Sequence, residues 1–222
     1  MNYEKFIRNE IKTLGFLDGF STINGSLGNL SSNANLFYHQ YKAKEADKLI
    51  FKFSADFNLI IEKRERIIII EALLHPNFSL ASYVFSICNK AQDDGMVLRK
   101  FHFDYAPNEA NAIVKKPIYH LQYGGKATPR MLELQVADES IHTWLSSPRI
   151  NTNPVNLALF LDMIFCEFRS DQTIAITERA EWRNLIKENE DLITKLYFER
   201  ITGFFNVNHS SSLLFRDFCY GE

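Results

Sequence analysis

The chain is poor in the features that mark several large protein classes. It has no run of about 18 apolar residues, the minimum for a membrane-spanning helix. The nearest approach, Val155 to Phe168, is shorter and carries Asp162 and Glu167. The opening residues, Met1-Asn2-Tyr3-Glu4-Lys5-Phe6, are charged where a secretion signal needs an apolar stretch. A cytoplasmic protein with no membrane partner is expected. Cysteine is scarce: Cys88, Cys166 and Cys219 are odd in number, widely spaced and free of any C-x-x-C pair, which argues against a disulfide framework and a zinc knuckle. They read as small buried apolar residues. An excess of positive charge is also missing. The chain has 25 Lys and Arg against 27 Asp and Glu, a net charge of -2, so bulk electrostatics gives no support to non-specific nucleic-acid binding. The Gly- and Ser-rich stretch at 19–35 lacks both G-x-G-x-x-G and the Gly-Lys-Ser/Thr end of a phosphate loop. No G-x-S-x-G elbow, internal repeat or interdomain linker occurs.

What remains is an ordinary globular composition with one excess. Hydrophobic residues make up 46% of the 222 and charged residues 23%, while Phe reaches 19, beside 9 Tyr and 2 Trp. That length suits one domain, 1–222. The aromatic surface is enough for a sizeable core, with some left for an interface.

Apolar spacing divides the chain into three regions. Tyr3, Phe6, Ile7, Ile11 and Leu14 recur at helical steps, predicting a helix over 3–14, with Asn2 as cap and Gly15 as stop. From about 49 to 136 the period drops to two. Strands are expected at 51–58, 67–70, 80–88, 96–105, 117–123 and 131–136. The charged run Glu62-Lys63-Arg64-Glu65-Arg66 reads as a solvated hairpin tip, because the two signs are mixed. His75-Pro76-Asn77 and Asp93-Asp94-Gly95 are further turns. From about 154 to 200 the helical period returns. Asn153-Pro154 starts a buried helix over 154–168. An amphipathic helix near 177–200 carries the stripe Trp182, Leu185, Ile186, Asn189, Leu192, Ile193, Leu196 and Tyr197. The order predicts an α+β protein: a largely antiparallel meander of about six strands, one N-terminal helix and two C-terminal helices packed on the sheet.

One constellation stands out chemically. On the strand 97–105, Lys100, His102 and Asp104 share one face and Phe101, Phe103 and Tyr105 the other. On the next strand His120 and Gln122 share a face, opposite Tyr119, Leu121 and Tyr123. An antiparallel register with His102 across from His120 gathers all the polar residues on one side, and the strand at 131–136 adds Glu133 and Gln135. Three readings are open. The face is structural, meeting solvent or loops. Alternatively, His102 and His120 act as base and acid in metal-independent phosphodiester transfer, with Asp104 orienting and Gln122 or Lys100 steadying the phosphate, which would make RNA a substrate. In the third, His102, Asp104, His120 and Glu133 hold a divalent metal. His39, His75, His142 and His209 have no partner pattern.

The string Phe101-His102-Phe103-Asp104-Tyr105-Ala106-Pro107, then Pro117-Ile118-Tyr119-His120-Leu121-Gln122, then Pro148-Arg149-Ile150 leading into Asn156-Leu157-Ala158-Leu159-Phe160-Leu161-Asp162, resembles the bacterial family DUF2290 over about 50–200. That family name carries no assigned activity and implies only a bacterial cytoplasmic setting. The spacing from His102 through Pro107 to His120 is also similar to small toxins of toxin–antitoxin pairs, which motivates the ribonuclease reading.

Two functional expectations follow, and between them whether the protein is an enzyme stays open. The first is a partner subunit of a multi-protein system, such as phage defence or toxin control, that binds another protein. Its support is the aromatic excess, the near-neutral charge and a Phe-rich tail with Phe204, Phe205, Phe215 and Phe218. The second is a small ribonuclease or phosphodiesterase working at His102, Asp104 and His120.

Overall fold

The computed structural model describes residues 3–18, 39, 51–75, 81–90, 93–105, 119–136, 150–195, 197–199 and 202. The predicted loop at 19–35, the Phe-rich tail, Leu196, Cys219, His142 and His209 lie outside them.

The fold is α+β. Helix α1 (Tyr3–Asp18) precedes strands β1 (Phe51–Ile61), β2 (Arg64–Leu74), β3 (Ala81–Cys88), β4 (Val97–Tyr105) and β5 (Tyr119–Tyr123). Short helix α2 (Pro129–Glu133), the two-residue strand β6 (Ile150–Asn151) and helices α3 (Leu157–Glu167), α4 (Asp171–Thr177) and α5 (Ala180–Asn189) follow. A single π-helical turn, Glu190–Thr194, continues α5. The strands lie in chain order β1 to β6, every pair antiparallel. No helix among the described residues is long and apolar enough to cross a membrane.

Alternation fixes what each sheet face carries. Phe57, Ile68, Ile70, Tyr83, Phe85 and Phe103 fall on one face and are all buried there. Helices α1, α3 and α5 pack over that face with Leu14, Phe160, Ile164, Phe165 and Trp182. Phe160 sits at the centre of this layer. Its ring centroid is 6.1 Å from Tyr83, 5.9 Å from Phe85 and 5.1 Å from Phe103, linking three strand side chains to one helix. The opposite face carries Ile69 and Cys88, covered by Met131 and Val136 from α2 and the turn after it.

Several expectations shift in detail. Helix α1 runs through Gly15 to Asp18, because Leu14 and Leu17 both continue the buried face. Residues 131–136 form no strand. Thr128 accepts the Met131 N–H as an N-cap, Pro129 takes the first helical position, and the chain makes a helical turn through Glu133. The sixth strand is instead Ile150–Asn151. The buried helix starts at Leu157, not Pro154, because the Asn156 side chain accepts the Leu159 N–H. The C-terminal amphipathic helix starts at Ala180, and a separate short helix precedes it. Ser170 caps α4 with a capping box, and extended Arg179 separates it from α5. Arg64 to Arg66 belong to β2, so the tip is only Glu62-Lys63. Both of these have positive φ, 51° and 63°, the conformation of a type I′ hairpin turn. Of the cysteines, Cys88 is buried as expected, but Cys166 on α3 is exposed.

Candidate functional site

Strands β4 and β5 bring Lys100, His102, Asp104, His120 and Gln122 to one face, as expected, but in a different register. Asp104 lies across from His120 and His102 across from Gln122. The pairing differs from His102-against-His120 by two residues, and a two-residue shift preserves the face. Glu133 does not join them. It stands on α2 and pairs with Arg130 at 2.7 Å, while Gln135 is exposed in the following turn with φ 55°. Among the described residues no three His, Cys, Asp or Glu side chains converge as metal ligands.

Asp104 is the hub of the cluster. Its Oδ1 accepts from the Ser82 hydroxyl on β3, and its Oδ2 lies 3.4 Å from His120 Nε2. Burial pushes the Asp104 carboxyl upward, but the close approach of His120 and the bond from Ser82 outweigh it and hold the pKa below the usual value. His102 belongs to a second group. A side chain at Gly125 would start 3.5 Å from His102 Nε2, 3.8 Å from the Gln122 amide nitrogen and 3.9 Å from Lys100 Nζ. Three nitrogens therefore crowd around a glycine whose φ is +100°. Lys100 Nζ donates to the Lys126 carbonyl, and the Gly124 N–H donates to the Lys100 carbonyl at 2.8 Å. Burial, with the Lys100 ammonium beside it, brings the His102 pKa down to about 4, so the ring is neutral at pH 7.

Two of its side chains are covered, while His102, Asp104 and Gln122 are half-buried. His120 is 0% exposed and Lys100 2%. Among the described residues His102 Nε2 is buried without a hydrogen-bond partner. So is Glu71 Oε2, which sequence reasoning passed over. Glu71 pairs across to Ser54 on β1 and to Val84 on β3, and Val84 pairs to His102, so these residues share one row of the sheet. The signal was available in principle: Glu71 is the lone charge in the apolar run Ile67–Leu74.

The helix-bearing face holds a second feature. A cleft of about 650 Å³ opens between α3 and strands β3 to β5. Its walls include Phe85, Phe101, Leu121, Tyr123, Met163 and Phe168. Tyr123 and Met163 are 44% and 46% exposed, so the apolar wall of the cleft reaches water. Four charged residues also line it: Glu62, Arg66, Arg99 and Glu167. The tertiary assembly alone creates this cleft. Its walls come from separate strands and a helix, and no local motif marks them.

Comparison of the chain with protein-family models, with curated proteins and with solved structures finds no match.

Proposed function

We propose that the protein is a partner subunit that contacts another protein through the cleft between α3 and strands β3 to β5. The cleft carries the reading: a contiguous aromatic and aliphatic surface that the protein's own described helices leave partly open. Apolar side chains with this exposure stabilise a complex by leaving water when a partner covers them, and Tyr, Phe and Met are enriched at such contacts. An open cleft with a half-exposed tyrosine at its wall suits a protein segment better than a small ligand. Small-ligand sites bury most of the ligand's surface.

The test is affinity purification from the native host at natural expression, comparing the wild-type chain with Tyr123→Glu and Met163→Glu. A stoichiometric partner that co-elutes with the wild type and is lost from both variants is the expected result. Recovery of the chain alone, or of the same proteins with all three forms, overturns the reading.

A second reading is acid–base chemistry at His102, Asp104 and His120, favoured by the unpartnered Nε2 of a neutral His102 beside Lys100 and Gln122. It requires His120, now fully covered, to become reachable. RNA cleavage by the purified protein that falls at least about 100-fold in both His102→Ala and His120→Ala is its expected signature. Unchanged cleavage in either variant sinks it.

A further inference from the structure

Among the four charged residues of the cleft, Arg66 differs from the rest. Glu62, Arg99 and Glu167 are exposed, and their charges are met by water. Arg66 is only 8% exposed. It faces Leu59 across the β1–β2 pair, at the end of the row that carries Ile68 and Ile70. Its aliphatic stem thus continues an apolar face, and its guanidinium ends at the cleft. No carboxylate or carbonyl among the described residues takes a hydrogen bond or ion pair from it. Asp94 feels its field, but the Asp94 carboxylate accepts instead from Asn89 Nδ2 at 2.7 Å and the Met96 N–H at 2.8 Å. Its nitrogens still reach water at the cleft, and a bidentate carboxylate is the group whose geometry best matches their fork of donors.

Resting on the reading of the cleft as a protein-binding face, we infer that its occupant is an apolar partner segment carrying an acidic side chain, whose carboxylate pairs with Arg66. The aromatic walls receive the segment's hydrophobic residues. The positive charge of Arg66 then sets the segment's polarity at that end of the cleft and disfavours a basic side chain directly against it. Charge complementarity selects the partner's chemistry, while apolar burial supplies the contact area.

Selection of random 12-residue peptides displayed on phage, against the full chain, tests this directly. Enriched peptides are expected to combine aromatic or aliphatic residues with Asp or Glu. Changing that acid to its amide in a selected synthetic peptide is expected to weaken binding about 30-fold or more, as is Arg66→Gln in the protein. The peptide change leaves the protein untouched, so the result stands even if Arg66→Gln fails to fold. Peptides that need Tyr123 but carry no acid, or that tolerate the amide, overturn the pairing with Arg66 and leave the cleft reading intact. Binding indifferent to Tyr123→Glu overturns both. Displacement of a selected peptide by 4-phenylbutyrate at comparable concentration would assign the cleft to free apolar acids and overturn the partner segment.

Discussion

Glu10 on α1 accepts the Leu157 N–H with Oε1, at 3.1 Å, across 147 residues of chain. Its Oε2 accepts from the Tyr83 hydroxyl at 2.9 Å. One carboxyl thus joins the first helix to the start of α3 and to the middle of the sheet. It is 0% exposed, and burial pushes its pKa up to about 8.

A pH dependence follows from that shift. The folded carboxyl keeps its proton to about pH 8, whereas the unfolded one releases it near 4.5. Folding therefore takes up a proton between those values, and stability falls as pH rises through that window. Glu10→Gln should flatten the decline, so the variant gains on the wild type from pH 4.5 to 8. Thermal melts of both proteins across this range check it. Parallel curves would show that Glu10 is ionised in the fold.

His102 has the opposite sign. Its folded pKa near 4 lies below the ordinary 6.5, so the folded state holds fewer protons between these values. Stability from the neutral ring is present above pH 6.5 and lost as pH falls toward 4. Titration of the ring protons by NMR should place the His102 midpoint close to 4 in the native protein. Urea melts of His102→Gln should lose the acid-side slope.

Asn189 holds a buried network together. Its Oδ1 accepts from Asn9 and Asn156, and its Nδ2 donates to the Leu185 carbonyl. All three asparagines are 4% exposed or less. Asn189→Ala leaves two buried amides without their acceptor. At about 1–3 kcal/mol for each stranded group, a loss of roughly 3 kcal/mol in urea unfolding is expected. A loss under 1 kcal/mol would mean that water fills the gap. Asn189→Leu should fare no better, since it removes the same acceptor.

The hairpin tip offers a gain. Glu62 and Lys63 adopt left-handed backbone that Asn and Gly adopt with less strain. Replacing the pair by Asn-Gly should stabilise the protein by about 1–2 kcal/mol, read as a raised urea midpoint with unchanged slope. A lowered midpoint would show that the Glu62 and Lys63 side chains contribute more than the turn strain costs.

The candidate cluster was legible in the sequence because strand alternation is local. Lys100, His102 and Asp104 share a face whatever the sheet does, and so do His120 and Gln122. Their meeting needed only that consecutive strands pair antiparallel. The exact register was not legible, since a two-residue slip leaves every face unchanged. Glu133 was misplaced because Met131, Leu132, Leu134 and Val136 are too few to separate a strand from a helical turn. The Thr128 cap and Pro129 decided for the helix. Arg66 was misread for a related reason. A run of mixed charges looks solvated, yet Arg66 shares the parity of Ile68 and Ile70 and is buried with them.

The sequence by itself determined the class of fold and the two-faced character of its strands. Both rest on spacing between near neighbours, which the backbone converts directly into direction. Only the tertiary structure decided that His120 and Lys100 are covered, that Arg66 reaches a cleft with no partner among the described residues, and that Glu10 meets Leu157. Burial and pairing of this kind depend on which distant segments arrive above a side chain, and no local period encodes that arrival.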